Sequence, residues 1–196
     1  MNVYDFDKTI FWGDTEDRFF AYIFEKRPDL WFYKWNHHIW EKVFNWKFIE
    51  NKTLIREIQY SVLRKIDDVD AMLEAYWEEN ACHMMKWYDS VKRPDDVIAT
   101  GTPAFIMEPI MRRLGLTEMV ATDMDKKTGK INGIFAVYGY KVDEFKKKYS
   151  LDDIDEFYSD AWSDHYLAEY AKKAYVVHDN EQITEWNEYF ATHPKK

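Results

Sequence analysis

Glycine and cysteine are scarce in this sequence. Six glycines serve 196 residues, and none falls between Gly13 and Gly101. Such a stretch suits long helices joined by short turns, because glycine is the usual residue where a chain must turn left-handed. The single cysteine, Cys82, excludes an internal disulfide and is too little for a cysteine-based zinc site. A buried, inert thiol is the expected state. No run of about 18 apolar residues occurs, so no transmembrane helix is expected. The acidic Asp5-Phe6-Asp7 stands where a signal peptide would need its apolar stretch. Positive charge is also short, with 27 Lys and Arg against 36 Asp and Glu, a net charge of −9. That balance argues against generic nucleic-acid binding, which needs a basic footprint on phosphates. It also disfavours adhesion to anionic membranes. The expectation is a cytoplasmic protein with neither nucleic acid nor membrane as partner.

Aromatic side chains are abundant, at 18% of the chain with nine tryptophans. With 46% hydrophobic and 32% charged residues, the composition describes a soluble globule and excludes a disordered chain. The length fits one domain, or one core with an insertion, and needs no metal or disulfide staple.

The chain opens on a short strand, Asn2-Val3-Tyr4-Asp5-Phe6. Residues 14 to about 91 then read as nearly pure helix, with apolar residues at helical spacing. Four helices are expected near 15–26, 28–48, 52–66 and 68–90, forming a small bundle. Trp31, Trp35 and Trp40 are expected mostly in its core, with the lining of a substrate pocket as the alternative, and His37 and His38 in packing or on the surface. Beyond Pro94 the pattern changes. Val97-Ile98-Ala99 reads as a buried strand, followed by Thr102 as a helix N-cap, Pro103 at the first helical position and a kink at Pro109. Residues 119–138 suggest a strand and hairpin. A helix after Lys141, a strand at Phe157-Tyr158, a helix over 164–172 and a strand at Tyr175-Val176-Val177 complete the alternation. Strand–helix alternation implies a parallel sheet with helices on both faces, an α/β fold.

Four places can carry chemistry. Asp5 and Asp7 end the first strand, and period 2 sends both carboxylates to one side. Carboxylates that close repel, so one should bind its proton tightly or both should share a cation. The pair supplies a nucleophile and a separate proton carrier; a plain polar strand end is the alternative. Thr100 ends the second strand ahead of a helix, where a hydroxyl and main-chain N–H groups suit an anion. Lys141 is one lysine among several. Asp160 and Asp164 follow the strand at Phe157-Tyr158 and suit a hard cation, or else form a turn and a helix cap.

In this order, the four pieces resemble the haloacid dehalogenase-like (HAD) superfamily, and within it the phosphoserine phosphatase-like subfamily. Asp5-Phe6-Asp7-Lys8-Thr9-Ile10 matches the first motif. Thr100, Lys141 and the Asp160/Asp164 pair fit the second, third and fourth. The helical block falls where that subfamily carries a helical cap. The resemblance implies a Rossmann-like α/β core over 1–13 and 92–196 with an inserted cap over 14–91.

The resemblance also implies roles. Asp5 would attack phosphorus and form an aspartyl-phosphate, while Asp7 would serve as acid and then base. Mg²⁺ would be held by Asp5, the Asp7 carbonyl and Asp160. Asp164 would orient a metal-bound water or Lys141, and Thr100 and Lys141 would hold the phosphoryl oxygens. The second acid favours phosphate esters over halides. The implied activity is hydrolysis of a small phosphorylated metabolite. Transfer to an alcohol through the same intermediate, or a catalytically weak binding or regulatory protein, are the alternatives. Two motifs depart from the subfamily. Thr100-Gly101-Thr102-Pro103 replaces its usual Ser-Gly-Gly, which speaks against phosphoserine as substrate. Ser159-Asp160-Ala161-Trp162-Ser163-Asp164 replaces a GDGxND pattern. Asp14 matches a substrate-contacting position or caps the first inserted helix. Arg56 meets a carboxylate or lies on a solvated helix face.

Overall fold

The structure, a computed structural model, describes residues 1–44, 52–133 and 135–194. Among these a six-stranded sheet runs in the order β3-β2-β1-β4-β5-β6. Its strands are β1 (Asn2–Tyr4), β2 (Val97–Pro103), β3 (Glu118–Thr122), β4 (Glu156–Ser159), β5 (Lys173–His178) and β6 (Gln182–Glu185). All neighbours pair in parallel except β6, which returns antiparallel along β5. β1 leads to β2 and β3 on one side, and the chain then crosses to β4 on the other. This reversal opens a crevice at the carboxyl ends of the central strands.

Alternation along each strand divides the core into two layers. Val3, Val97, Phe157 and Val176 face one side with Phe145 and Phe190. Tyr4, Ile98, Tyr158 and Val177 face the other. Period 2 thus dictates which helices each strand meets. The first layer is covered by α7 (Gly139–Lys146), α8 (His165–Ala168) and α9 (Trp186–Thr192). On the second lies α6 (Ala104–Leu114), together with helices inserted between β1 and β2.

The inserted elements are α1 (Thr15–Lys26), α2 (Trp31–Phe44), α3 (Lys52–Tyr60), α4 (Val69–Asn80) and α5 (Lys86–Val91). Asp14 caps α1 by accepting the Asp17 N–H at 3.1 Å. Asp68 likewise caps α4 through Ala71 N–H at 2.9 Å. Phe19, Ile23, Leu73, Tyr76 and Trp77 from these helices join Phe6, Phe11, Ile106 and Tyr158 in one continuous buried cluster. The Trp77 indole N–H donates to the Ile106 carbonyl at 2.7 Å. The insertion therefore shares its core with the sheet's face.

Several sequence expectations change. The helix expected over 68–90 breaks at Met84 and Met85, because the chain turns extended to pair with the loop after β1. Met84 bridges Phe11, and the Met85 N–H donates to the Ile10 carbonyl at 2.8 Å. The first turns of the 28–48 helix and the last of 52–66 are 3₁₀, and 45–48 lies outside the described residues. Thr102 is no cap: β2 runs on through Pro103, and α6 continues past Pro109. Cys82 is exposed rather than buried. Trp31 and Trp35 are not bundle core either, and Trp40 is half-buried. β6 and α9 were not anticipated. Among the described residues no helix is long and apolar enough to cross a membrane.

Candidate active site

The carboxyl ends of β1, β2 and β4 converge on a cavity of about 250 Å³. Asp5 directly follows β1, and its N–H extends the ladder to the Tyr158 carbonyl at 2.8 Å. Thr100 lies in β2, where the register with β3 shifts between Ala99 and Pro103. Such an irregularity re-aims side chains at a strand end. Asp160 directly follows β4, and Lys141 comes from α7. All eight residues singled out from the sequence line this cavity: Asp5, Asp7, Asp14, Arg56, Thr100, Lys141, Asp160 and Asp164.

Lys141 is 4% exposed and joins two carboxylates. Its Nζ lies 3.0 Å from Asp5 Oδ1 and 2.7 Å from Asp164 Oδ1. Burial opposes its charge, but Asp164 and Asp5 outweigh burial and raise its pKa. Ser159 Oγ donates to Asp164 Oδ2 at 2.7 Å and itself accepts the Ala161 N–H at 3.2 Å. This chain fixes Asp164, which fixes the ammonium. Burial pushes Asp5 well above the usual carboxylate range; Lys141 opposes the shift, and Asp164, Asp160 and Asp7 add to it. Asp160 is pushed up to about 6, again first by burial.

Asp7 carries the densest set of bonds. Its Oδ1 accepts the Thr15 N–H at 2.7 Å and the Thr15 hydroxyl. Its Oδ2 accepts the Thr102 hydroxyl at 3.0 Å. Burial, with Asp14 nearby, pushes Asp7 up to about 7, although the Thr15 bonds pull it down. A carboxyl titrating near neutrality both gives and takes protons efficiently. Sequence reading missed Thr15 and Thr102 in this role, since a threonine at a helix start or strand end reads as a cap.

Around Thr100 the chain leaves no spare room. Thr100 Oγ1 accepts the Thr102 N–H at 3.1 Å. A Cβ on Gly101 would stand 2.9 Å from Val137 Cγ1, so glycine permits the approach of the 135–138 segment. Thr122 Oγ1 ties that segment to β2, donating to the Gly101 carbonyl at 2.6 Å and accepting the Ala136 N–H at 3.1 Å.

The opposite wall comes from the inserted helices. Asp14 both caps α1 and lines the cavity. Arg56 is not on a solvated face. Its Nη2 lies 3.4 Å from Glu16 Oε2, Nη1 donates to Gln59 Oε1 at 3.2 Å, and the guanidinium sits over the Phe135 ring. The Tyr60 hydroxyl donates to Glu16 Oε1. Nothing in the sequence sets Glu16 apart, because an acid in a first helical turn is ordinary dipole complementation.

Among the described residues no three acidic, imidazole or thiol side chains form a complete metal cage. The cavity instead offers oxygen donors of high mutual repulsion, with Asp5 and Asp160 lining it together. Such a donor set fits a hard cation that keeps several waters, and does not fit a soft one.

Residues 3–169 match the family model described as haloacid dehalogenase-like hydrolase. A solved protein of unknown function from Bordetella pertussis Tohama I aligns with a TM-score of 0.73 at 19% identity, covering 89% of this chain and 87% of its own. A phosphoserine phosphohydrolase-like protein from Francisella tularensis gives 0.52 at 17% identity, covering 89% and 86%. A phosphoserine phosphatase in apo form gives 0.50 at 14% identity, covering 89% and 84%. At these identities the likeness is one of fold. No curated protein matches the chain.

Proposed function

The chain belongs to the haloacid dehalogenase-like hydrolases, and from that premise we propose that it is a Mg²⁺-dependent phosphatase acting on a small phosphomonoester through phospho-Asp5. The observation that carries this reading is the pairing within one cavity of Asp5, held by Lys141, with Asp7, whose pKa is pushed up to about 7. The Lys141 ammonium favours the charged form of Asp5 against the burial that opposes it, and Asp7 is able to carry a proton at neutral pH.

In the first step an Asp5 carboxylate oxygen attacks phosphorus, and the ester oxygen leaves with the proton of Asp7. In the second, Asp7 takes a proton from water, which attacks the same phosphorus and releases inorganic phosphate from Asp5. Lys141 and Thr100 hold the phosphoryl oxygens, and fixed groups of this kind supply most of the catalysis in phosphoryl transfer. Asp5, the Asp7 main-chain carbonyl and Asp160 would hold Mg²⁺, which supplies neutralising charge for the phosphoryl group. Without added positive charge, Lys8, Arg56 and Lys141 face six acidic side chains and a phosphate dianion.

The leaving group meets the wall of Asp14, Glu16 and Arg56. Two acids and one base make that wall acidic, and Glu16 already engages Arg56. This arrangement favours a neutral or cationic leaving group over a carboxylate.

The test is turnover of p-nitrophenyl phosphate and of a phosphomonoester panel, with and without Mg²⁺. The expected result is metal-dependent release of phosphate, abolished by Asp5→Asn. Absence of turnover across the panel would favour a binding protein instead. Phosphate appearing on an added alcohol rather than free in water would favour a transferase.

A further inference from the structure

Helix α2 carries two parallel stripes on its exposed side. Trp31, Trp35 and Ile39 recur at four-residue spacing, and Trp31 and Trp35 remain 68% and 66% exposed. Phe32, beside them, is also exposed. Lys34, His38 and Lys42 recur at the same spacing one step round the helix, and all three are exposed. Residues four apart on a helix lie one above the other, so rings and basic groups form adjacent rows. No acidic residue stands in either row. Among the described residues neither Lys34 nor Lys42 is engaged in an ion pair, although the chain as a whole carries a net charge of −9.

Beneath the rings, between α1 and α2, lies a hollow of about 630 Å³. Phe20, Phe24, Trp31 and Trp35 line it, with Lys34 and His38 among its walls. It is larger than the catalytic cavity and lies across the first turn of α1 from it, since Asp17 borders the hollow while Asp14 and Glu16 border the cavity.

We propose that this face of α2 is a docking surface for a lipid bilayer bearing anionic headgroups. Tryptophan and phenylalanine beside lysine on one helix face suit the headgroup boundary, where rings enter the acyl edge and ammonium groups meet phosphates. Lys34 and Lys42, both exposed, supply positive charge on this face to complement anionic headgroups. Asp17 is the one acid among the residues that line the hollow, and charges farther off than the Debye length of about 8 Å at physiological salt are largely screened. An open apolar hollow suits fluid acyl chains, whereas a rigid protein partner would need a matching projection. A second copy of the chain is disfavoured, because a two-fold contact across these rows would bring basic groups towards basic groups.

The experiment is co-sedimentation of the full chain with vesicles of phosphatidylcholine alone and of phosphatidylcholine mixed with phosphatidylglycerol. Binding should be strong to the mixed vesicles and weak to the neutral ones. Lys34→Gln with Lys42→Gln should reduce it by roughly 25-fold, about fivefold for each lysine. Trp31→Ser with Trp35→Ser should abolish it while thermal unfolding stays cooperative. Four results would each overturn the proposal: no binding to mixed vesicles, equal binding to both kinds, binding that survives the tryptophan changes, or light scattering that shows a dimer dispersed by them.

Discussion

Thr15 and Asp7 are joined twice, the main-chain N–H and the hydroxyl of Thr15 both donating to Asp7 Oδ1. Thr15 is the first residue of α1, so the inserted helices begin by gripping the proposed proton carrier. Both bonds favour the charged carboxylate. Thr15→Val keeps the shape and removes the hydroxyl, so the Asp7 pKa rises. In the first step Asp7 must be protonated, and the basic limb of kcat/KM against pH should therefore move to higher pH. Thr15→Ser should retain the original profile. An unchanged limb in Thr15→Val would separate Asp7 from that limb.

Lys141 stands between Asp5 and Asp164 with almost no solvent access. Lys141→Met would leave both carboxylates buried without their cation. Breaking a buried pair in this way costs about 3–5 kcal/mol, which for a domain of this size lowers Tm by roughly 10 °C. Activity should fall by about 10²- to 10³-fold, the usual effect of losing one charge-stabilising donor. Calorimetry and steady-state turnover measure the two effects separately.

Stability of the metal-free protein should fall as pH rises from about 5 to 8. Burial, the largest cause in each case, raises Asp7 from 3.8 to about 7 and Asp160 to about 6. A carboxyl whose folded pKa exceeds its unfolded value binds more protons in the folded state throughout that interval. Its favourable contribution is complete below the unfolded pKa and is lost as pH climbs through the folded one. The raised pKa of Lys141 does not alter the slope here, because lysine is charged in both states across this range. Unfolding scans in chelator should show the decline. Added Mg²⁺ should raise Tm more at pH 8 than at pH 5, since a cation binds the ionised forms.

What could be read from the sequence was whatever depends on local pattern. The strand ends at Asp5 and Asp160 are legible because apolar runs stop abruptly beside polar residues, whereas the same pattern at Thr100 stops the second strand too early, β2 running on to Pro103. Their meeting at one cavity follows from parallel topology. The break at Met84 was not legible, because helical periodicity continues through it and only the distant loop at Ile10 and Phe11 makes the extended form better. Thr15, Thr102 and Glu16 look like ordinary helix-start and strand-end residues, and their role appears only when residues far apart in the chain are placed together. The composition places Trp31 and Trp35 in the core because rings usually are buried. Helical spacing alone does not say whether a stripe faces a neighbour or the outside. Cys82 escaped for the same reason.

Gly101 and Val137 meet so closely that a single methyl group should matter. A Cβ on Gly101 would lie 2.9 Å from Val137 Cγ1, inside any real carbon–carbon contact. Valine is stiff at χ1 and cannot swing its methyl aside freely. Gly101→Ala should therefore push the 135–138 segment off β2, straining the Thr122 bonds to Gly101 and Ala136 and moving the adjacent Thr100 hydroxyl. A misplacement of about 1 Å at a positioned group can cost about 100-fold in rate, so kcat/KM should drop by one to two orders of magnitude. Val137→Ala removes the methyl that Cβ would strike. Combined with Gly101→Ala it should restore most of the lost activity, while Val137→Ala alone should have a small effect. If the double variant is no better than Gly101→Ala, then the glycine is required for some reason other than this contact.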